Sequence, residues 1–259
     1  MSKLALVTGA SSGIGAAYAK RLGELGFDLV VVGRRLERLQ ELSDSLPSVQ
    51  VQTLVADLAT DAGIDEVAEI CASRPLSMLI NNAGVAHYMA MADLPAEKAR
   101  ELVHVKTVAP TMLIQAALPG MLERGAGTIV NVAGMLAYAG PAPLGLMSGR
   151  ATYTGTLALL VALTQALDEE LRESPVQVQV LCPGVVATEF HERQGMDLSA
   201  VPCMAAAGVV IASLRGLELG EVVCAPGLED TSLLEEVTRA DLAAFGAQST
   251  QVAQRYLAR

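Results

Sequence analysis

The stretch Thr8-Gly9-Ala10-Ser11-Ser12-Gly13-Ile14-Gly15 lies between a short apolar run, Leu4–Val7, and a helical pattern, Ile14–Leu25. A strand, a glycine-rich turn and a helix in this order are typical of a βαβ unit that binds a dinucleotide. The glycines let the turn close and let a pyrophosphate approach the backbone, while the start of the helix supplies free N–H groups and partial positive charge. The contacts predicted in this turn are Gly9, Ser11, Ser12, Gly13, Ile14 and Gly15.

Short apolar runs and helical patterns alternate along the rest of the chain. The predicted strands are Leu4–Val7, Leu29–Val32, Val49–Val55, Met78–Ile80, Thr128–Val132, Val176–Leu181 and Val222–Ala225. The predicted helices are Ile14–Leu25, Leu36–Leu46, Ile64–Ala72, Ala96–Leu122 with a kink at Pro110, Tyr153–Glu173, Ser232–Phe245 and Thr250–Leu257. Because apolar strands alternate with helices, we expect an α/β fold: a doubly wound, parallel, Rossmann-type sheet of about seven strands in a single domain, residues 1–259. Within it, residues 189–215 are predicted to form a substrate lid and residues 228–259 a C-terminal helical tail.

The composition narrows the class of protein. Apolar residues make up 52% of the chain, and the formal net charge is −10 with no cluster of Lys and Arg, so we expect no nucleic-acid partner. The start of the chain lacks the shape of a signal peptide, and the longest uncharged apolar stretch near the end, roughly Val201–Leu214, is too short to span a bilayer. We therefore expect a soluble, cytoplasmic protein without membrane contact. The cysteines are far apart and are predicted to be reduced thiols: Cys71, Cys182, Cys203 and Cys224.

The second predicted strand ends in Gly33-Arg34-Arg35, where an NAD site usually carries Asp or Glu for the ribose 2′-hydroxyl. Arginine suits a 2′-phosphate instead, so Arg34 and Arg35 predict NADP(H) as the cofactor. The alternative is that one of the two merely caps a surface turn. Asp57, directly after the third strand, is predicted to meet the adenine amino group, with capping of the next helix as its alternative role.

Further segments at the predicted strand ends extend this pattern: Asp57-Leu58, Asn81-Asn82-Ala83-Gly84, and Pro183-Gly184 with Thr188. Together with the glycine-rich turn they resemble the short-chain dehydrogenase/reductase family over about the first 225 residues. The resemblance implies hydride transfer between a nicotinamide and a carbonyl or alcohol. It also implies a homodimer or homotetramer, formed through the two long helices. The further cofactor contacts that it implies are Leu58, Asn82, Ala83, Gly84, Val186 and Thr188.

The family reaction uses a Tyr as acid or base, a Lys four residues later, a Ser after the fifth strand and an Asn in the preceding long helix. Only the Tyr is matched here, by Tyr153; Leu157, Gly134 and Lys106 stand at the other three positions. We expect Tyr153 and Lys106 to be the catalytic residues, with the Lys106 ammonium restoring positive charge near Tyr153. The alternative is that Lys106 faces solvent or pairs with an acid at a dimer interface.

Other side chains are weaker candidates. Ser148 lies in the Gly-, Pro- and Ala-rich stretch Met135–Thr152 and is an alternative hydroxyl donor, and Tyr138 is a second phenol. His87 follows the Asn-Asn-Ala-Gly turn and is the histidine best placed to border the substrate pocket. A solvent-facing or hydrogen-bonded side chain is the alternative for His87 and the expectation for the other two histidines, His104 and His191. No pair of histidines has metal-ligand spacing, so we expect no metal site.

These observations favour an NADP(H)-binding enzyme with a non-standard active site that acts on a small, apolar substrate in a specialised biosynthetic pathway. Its chemistry would be reduction of an imine, an alkene or a carbonyl, or a non-redox acid/base reaction such as cyclisation, elimination or isomerisation. Two alternatives remain open: a catalytically inactive NADP(H)-binding paralogue, and an ordinary NADPH-dependent carbonyl reductase.

Overall fold

The computed structural model describes residues 3–142, 149–193 and 201–257, apart from the side chains of residues 191 and 192. The chain divides into two compact units, Met1–Pro226 and Gly227–Arg259. The first contains every strand, and the second contains one helix and a short 3₁₀ turn.

The strands of the first unit are β1 Lys3–Thr8, β2 Phe27–Gly33, β3 Val51–Val55, β4 Leu76–Asn81, β5 Gly127–Val132, β6 Val176–Leu181, β7 Val186–Ala187, β8 Met204–Ala205 and β9 Val223–Cys224. Seven of them form one parallel sheet in the order β3-β2-β1-β4-β5-β6-β9, and β7 pairs with β8 in a separate two-stranded sheet. The order reverses beside β1, which is the switch point of a doubly wound sheet. The predicted fold class is confirmed.

The helices are α1 Gly13–Glu24, α2 Leu36–Asp44, α3 Asp61–Ser73, α4 Ala96–Val103, α5 Ala109–Arg124, α6 Ala151–Glu170, α7 Glu189–Glu192, α8 Ala206–Leu219 and α9 Ser232–Gly246. Side chains of successive strand residues point to opposite faces of the sheet, so Leu4 and Leu6 pack in one core while Ala5 and Val7 pack in the other. The first core is closed by α3 and α5, and the second by α1 and α8.

The predicted long helix Ala96–Leu122 is divided into α4 and α5 by a π-helical segment, His104–Val108. The break lies directly before Pro110, where a kink was expected. Pro110 falls in the first turn of α5, a position that needs no intrahelical N–H bond. The π-helical segment contains Lys106, and such segments occur often at functional sites.

Two expectations for the C-terminal part are corrected. The second half of the predicted lid, 189–215, belongs to α8, whose Val209 and Val210 are buried in the core, so a lid remains an expectation only for residues 189–205. The predicted helix Thr250–Leu257 is wrong, because only Gln254–Tyr256 forms a 3₁₀ turn. That segment is exposed throughout and buries no apolar face that would stabilise a longer helix. Among the described residues, no helix combines the length and apolar character that crossing a bilayer requires.

Candidate active site

A cleft of about 700 Å³ lies at the carboxyl ends of the parallel strands. The loops after β1, β2, β3, β4, β5 and β6 all contribute to it, as expected for a ligand site in a doubly wound sheet. The structure brings almost all predicted site residues to its lining: Gly9, Ser11, Ser12, Gly13, Ile14, Arg34, Arg35, Asp57, Leu58, Asn82, Ala83, Gly84, Lys106, Tyr153, Val186 and Thr188. The exception is Gly15, which lies behind the lining.

The glycine-rich turn has the geometry that a pyrophosphate site needs. Gly9 and Gly13 adopt φ values of 65° and 58°, in the left-handed region that favours glycine. A Cβ at Gly15 would lie 2.4 Å from the carbonyl oxygen of Gly9, so this glycine lets α1 pack closely on the turn. The N-cap residue Ser12 makes no side-chain hydrogen bond to the helix, which leaves the first N–H groups of α1 for a ligand. The turn therefore fits a dinucleotide pyrophosphate.

Thr8 joins the ends of β1 and β4. Its buried hydroxyl donates to the carbonyl oxygen of Ile80 and accepts hydrogen bonds from the N–H groups of Asn82 and Ala83. The Asn82 side chain returns a hydrogen bond, 2.9 Å long, to the carbonyl oxygen of Thr8. This closed set of bonds fixes the Asn-Asn-Ala-Gly turn against the glycine-rich turn.

The two arginines after β2 line the cleft, and both are paired with acids. Arg34 Nη1 lies 3.3 Å from Glu101 Oε1 and 4.0 Å from Asp57 Oδ1. Arg35 donates to the hydroxyl and carbonyl oxygens of Ser11 and lies 3.1 Å from Glu189 Oε2. The Arg35 guanidinium therefore stands beside the glycine-rich turn, whereas the Arg34 guanidinium lies between Glu101 and Asp57 on the cleft wall.

Asp57 does not cap α3. That role belongs to Thr60, whose hydroxyl accepts the N–H of Gly63, while the Asp57 carboxylate accepts the N–H of Ala59 in the preceding turn. The alternative role considered for Asp57 is thus filled by a neighbour. Its half-exposed carboxylate remains on the cleft wall.

Tyr153 lies in the first turn of α6 and is 7% exposed. Its ring makes an edge contact with Tyr88, with 5.5 Å between ring centroids, and a tilted contact with Phe190 at 6.3 Å. Burial raises the pKa of Tyr153 far above its usual value, and the nearby Tyr88 raises this pKa further. The phenol is therefore protonated at neutral pH, which is the form that can donate a proton.

Lys106 is buried, with 4% of its surface exposed, and its Nζ donates to the carbonyl oxygen of Val132 over 3.1 Å. The side chain crosses Gly84 so closely that a Cβ there would lie 2.6 Å from Lys106 Cε. Burial lowers the pKa of Lys106 to about 8. The Lys106 side chain therefore faces the cleft, which is one of the two predicted orientations, and it does not face solvent. Lys106 does not lower the pKa of Tyr153, however, since the influences on Tyr153 are its burial and Tyr88.

Two further residues shape the reaction half of the cleft. Leu157, one helical turn after Tyr153, is 1% exposed and belongs to the same apolar cluster. Gly134, directly after β5, has an extended backbone, and a Cβ there would make only ordinary contacts at 3.6 Å. The space at Gly134 therefore admits a side chain that the chain does not supply.

The weaker candidates are distributed as follows. His87 lines the cleft, and its Nε2 lies 3.0 Å from Glu101 Oε2. His104 bonds instead to the carbonyl oxygen of Arg100 and pairs with Asp61 outside the cleft. Tyr138 is absent from the cleft lining. Ser148 and the side chain of His191 lie outside the described residues. Within the described part of the chain, no group of three or more His, Cys, Asp or Glu side chains has an arrangement for a metal ion.

Sequence reasoning missed several side chains of the cleft, among them Tyr88, Glu101 and Phe190. A signal existed for the two aromatic residues. Tyr88 follows β4 and Phe190 follows β7, and aromatic residues are only 3% of the chain, so their place after strand ends was informative. Glu101 had no such signal, because the direction of its side chain depends on how α4 packs.

Several known proteins are similar to this chain in sequence. An uncharacterized oxidoreductase of Staphylococcus epidermidis is 30% identical over 203 residues, which are 75% of this chain and 85% of the relative. A second, from Staphylococcus aureus, is 31% identical over 188 residues, 72% of this chain and 79% of the relative.

Solved structures with a similar fold point to the same class of oxidoreductase. A short-chain dehydrogenase from Sphingobium yanoikuyae in complex with NADPH has a TM-score of 0.92 and 33% identity, covering 98% of this chain and 100% of that one. A bulky-bulky ketone specific alcohol dehydrogenase from Comamonas testosteroni has a TM-score of 0.89 and 30% identity, covering 99% of both chains. The short chain dehydrogenase family itself matches residues 3–198. With its sheet order, its glycine-rich turn and its buried tyrosine, the chain belongs to the short-chain dehydrogenase family of oxidoreductases.

Proposed function

We propose that the protein is an NADP(H)-binding reductase with a non-standard active site. Its acceptor would be a small, apolar carbonyl, imine or activated alkene. The observation that carries this proposal is the environment of Tyr153, a buried phenol with a strongly raised pKa and a leucine, Leu157, one turn further along α6.

The cofactor half of the cleft supports NADP(H). Backbone N–H groups of the glycine-rich turn would hold the pyrophosphate, and Arg34 and Arg35 would hold the 2′-phosphate. The relative from Sphingobium yanoikuyae, which was solved with NADPH, supports the same choice. Lys106 would add a buried positive charge on the floor of the cleft, because its pKa of about 8 keeps it protonated at neutral pH.

Reduced nicotinamide, when bound, supplies the hydride. Tyr153 would donate its hydroxyl proton to the acceptor atom that becomes negative, which is oxygen in a carbonyl and nitrogen in an imine, and would recover a proton from solvent. A hydride and a proton together complete a two-electron reduction. The reverse reaction needs a tyrosinate as base, and burial beside Tyr88 opposes that form. We therefore expect reduction to be much faster than alcohol oxidation.

The substrate half favours apolar groups. The walls around Tyr153 contain Val85, Met135, Leu136, Leu157 and Phe190. Apolar side chains of this kind bind substituents by excluding water and provide little hydrogen bonding. The name of the Comamonas testosteroni relative, which refers to bulky ketones, supports a ketone as one class of acceptor.

The test is consumption of NADPH and of NADH with panels of apolar aldehydes, ketones, imines and enones, each run in both directions. We expect turnover with NADPH in the direction of reduction. Tyr153→Phe should lower the rate by about 10²–10⁴-fold, the usual contribution of a general acid. Tyr138→Phe is the matched control, since it removes a phenol that does not line the cleft. Equal rates in Tyr153→Phe and wild type, or oxidation faster than reduction, would contradict the proposed mechanism.

A second candidate is a protein that binds NADP(H) without catalysing a reaction. It is favoured by Leu157 and Gly134, which stand at the two positions near Tyr153 where the family reaction uses a Lys and a Ser. NADPH binding without turnover on any acceptor, together with no product by mass spectrometry, would support this candidate, whereas a product formed without consumption of NADPH would indicate a non-redox reaction.

We also propose a homodimer or homotetramer formed through α4–α5 and α6. These helices leave large apolar side chains exposed, among them Met112 on α5 and Leu159 on α6. Light scattering tests this proposal, and a monomer at micromolar concentration would contradict it.

A further inference from the structure

An ion pair crosses the nucleotide half of the cleft. Arg34 follows β2, and Glu101 lies on α4, which follows β4; these two strands flank β1, whose end carries the glycine-rich turn. Arg34 Nη1 and Glu101 Oε1 are 3.3 Å apart, and both residues line the cleft. The side chain of Glu101 is the less exposed partner, at 27% against 53% for Arg34.

The second carboxylate oxygen of Glu101 is also engaged. It lies 3.0 Å from Nε2 of His87, whose side chain is 12% exposed. His87 therefore holds Glu101 at the cleft wall whether or not Arg34 is paired with it. Arg34 is the more exposed partner, and it has a second acidic neighbour, Asp57, at 4.0 Å.

A 2′-phosphate and Glu101 would compete for Arg34. The phosphate offers more negative charge than a carboxylate and accepts two parallel hydrogen bonds from a guanidinium, so it can displace Glu101. The 2′-hydroxyl of NAD carries no charge and cannot displace a carboxylate from arginine, but it can donate a hydrogen bond to one. The same carboxylate thus opposes one cofactor and is compatible with the other.

From this geometry we infer that Glu101 is a specificity-determining residue that weakens the preference for NADP(H) over NAD(H) by competing with the 2′-phosphate for Arg34. This inference rests on the proposed binding of NADP(H). It assigns a role in the cofactor site to a helix, α4, that lies outside the glycine-rich turn and the arginine pair.

The test is equilibrium binding of NADPH and NADH, measured by fluorescence titration without any substrate. Glu101→Gln keeps the size of the side chain and removes the charge. We expect it to tighten NADPH binding about two- to fivefold, the range that a partly exposed ion pair supports, and to leave NADH binding unchanged or weaker. Glu97→Gln is the matched control, because it removes the same charge from an exposed position one turn earlier in α4 and should change neither affinity.

A double-mutant cycle with Arg34→Gln separates competition from simple repulsion. If Glu101 acts by occupying Arg34, Glu101→Gln has no effect on NADPH binding once Arg34 is replaced. The inference is overturned if the gain persists in the Arg34→Gln background, if NADPH and NADH tighten equally, or if Glu101→Gln changes nothing.

The binding of the wild-type protein distinguishes this failure from failure of the proposed function. Wild-type protein that prefers NADPH, with no change in Glu101→Gln, contradicts the role of Glu101 alone. Wild-type protein that binds NADH more tightly, or binds neither cofactor, contradicts the proposed NADP(H) site and the inference together. Thermal unfolding of each variant shows that a changed affinity does not come from loss of the fold.

Discussion

The nucleotide half of the cleft is formed mainly by backbone, whereas the substrate half is formed by side chains. In the nucleotide half, two positive-φ glycines and the uncapped start of α1 create a polar surface whose shape hardly depends on side-chain identity. In the substrate half, Tyr153 lies among Tyr88, Leu157 and Phe190, and its chemistry depends on what surrounds it. A change of one side chain should therefore alter chemistry in the second half, and packing or cofactor affinity in the first.

The largest expected effect is a gain in the substrate half. Gly134→Ser places a hydroxyl where the backbone is extended and a Cβ meets only ordinary contacts. A preorganised donor to a developing oxyanion is worth roughly 10²–10³-fold in rate. We expect Gly134→Ser to raise the rate of NADPH-dependent ketone or aldehyde reduction by about that factor. Gly155→Ser, an exposed position on α6, is the control; equal rates for both variants would show that Gly134 does not face the reacting atoms.

The next effect concerns Lys106 and the pH dependence of stability. Its pKa falls from 10.5 to about 8 on folding, so between these pH values the unfolded chain keeps a proton that the folded protein has lost. The free energy of unfolding therefore rises as the pH increases from about 8 to 10.5. Relative to Lys106→Met, the rise is up to about 3 kcal/mol. Urea unfolding of both proteins from pH 7 to 10 measures this difference.

The comparison with Lys106→Met is needed because other groups act in the opposite direction. The raised pKa of Tyr153 favours the folded state below pH 10.0, its ordinary value, and this contribution is lost as the pH rises further. Both proteins carry Tyr153, so its contribution cancels in the difference. A difference that stays constant across the pH range would mean that Lys106 is not desolvated.

A packing effect is expected in the nucleotide half. In Gly15→Ala the new methyl group would lie 2.4 Å from the carbonyl oxygen of Gly9, so the turn and α1 must separate. We expect a loss of about 1–3 kcal/mol in the free energy of unfolding, together with weaker NADPH binding. The control Gly208→Ala lies on an exposed part of α8 with open space around it, and should stabilise the protein by up to about 1 kcal/mol. Equal stabilities of the two variants would argue against close packing at Gly15.

The smallest effect is expected at the edge of the same half. Glu189 pairs with Arg35 and with Arg193, and chiefly the hydrogen bond from Arg35 lowers the pKa of Glu189. Glu189→Gln should lower the free energy of unfolding at pH 7 by about 0.2–1 kcal/mol. A carboxyl group whose pKa is lowered on folding stabilises the folded protein only at pH values where the group is ionised. The difference in stability between wild type and Glu189→Gln should therefore vanish as the pH is lowered through the pKa of Glu189. Glu69→Gln, on the exposed face of α3, serves as the control, and an equal effect there would remove any special role for Glu189.

What could be predicted from the sequence follows the same division. The fold and the glycine-rich turn were predictable because strand periodicity and glycine positions depend on local backbone rules. Helix α8 was not predicted as a core helix, since the apolar stretch around Val209 and Val210 was assigned to the predicted lid and otherwise judged only as too short for a membrane.

The orientation of side chains could not be predicted in the same way. For Lys106 the sequence left two orientations open, and only the packing of the π-helical segment against Gly84 decides between them. The partner of Arg34 was equally inaccessible, because Glu101 lies 67 positions further along the chain and approaches it through tertiary structure.

The π-helical segment His104–Val108 also sets a rotational phase between two helices. A π-helical turn holds one residue more than an α-helical turn, and each residue of an α-helix advances the azimuth by about 100°. Because the wider turn absorbs its extra residue, deleting one residue here would let α4 and α5 join as one continuous α-helix in nearly the present phase, whereas a second deletion or an insertion would swing Glu101 through about that angle relative to α5. The length of this segment is thus a constraint on insertions and deletions, independent of which side chains it carries.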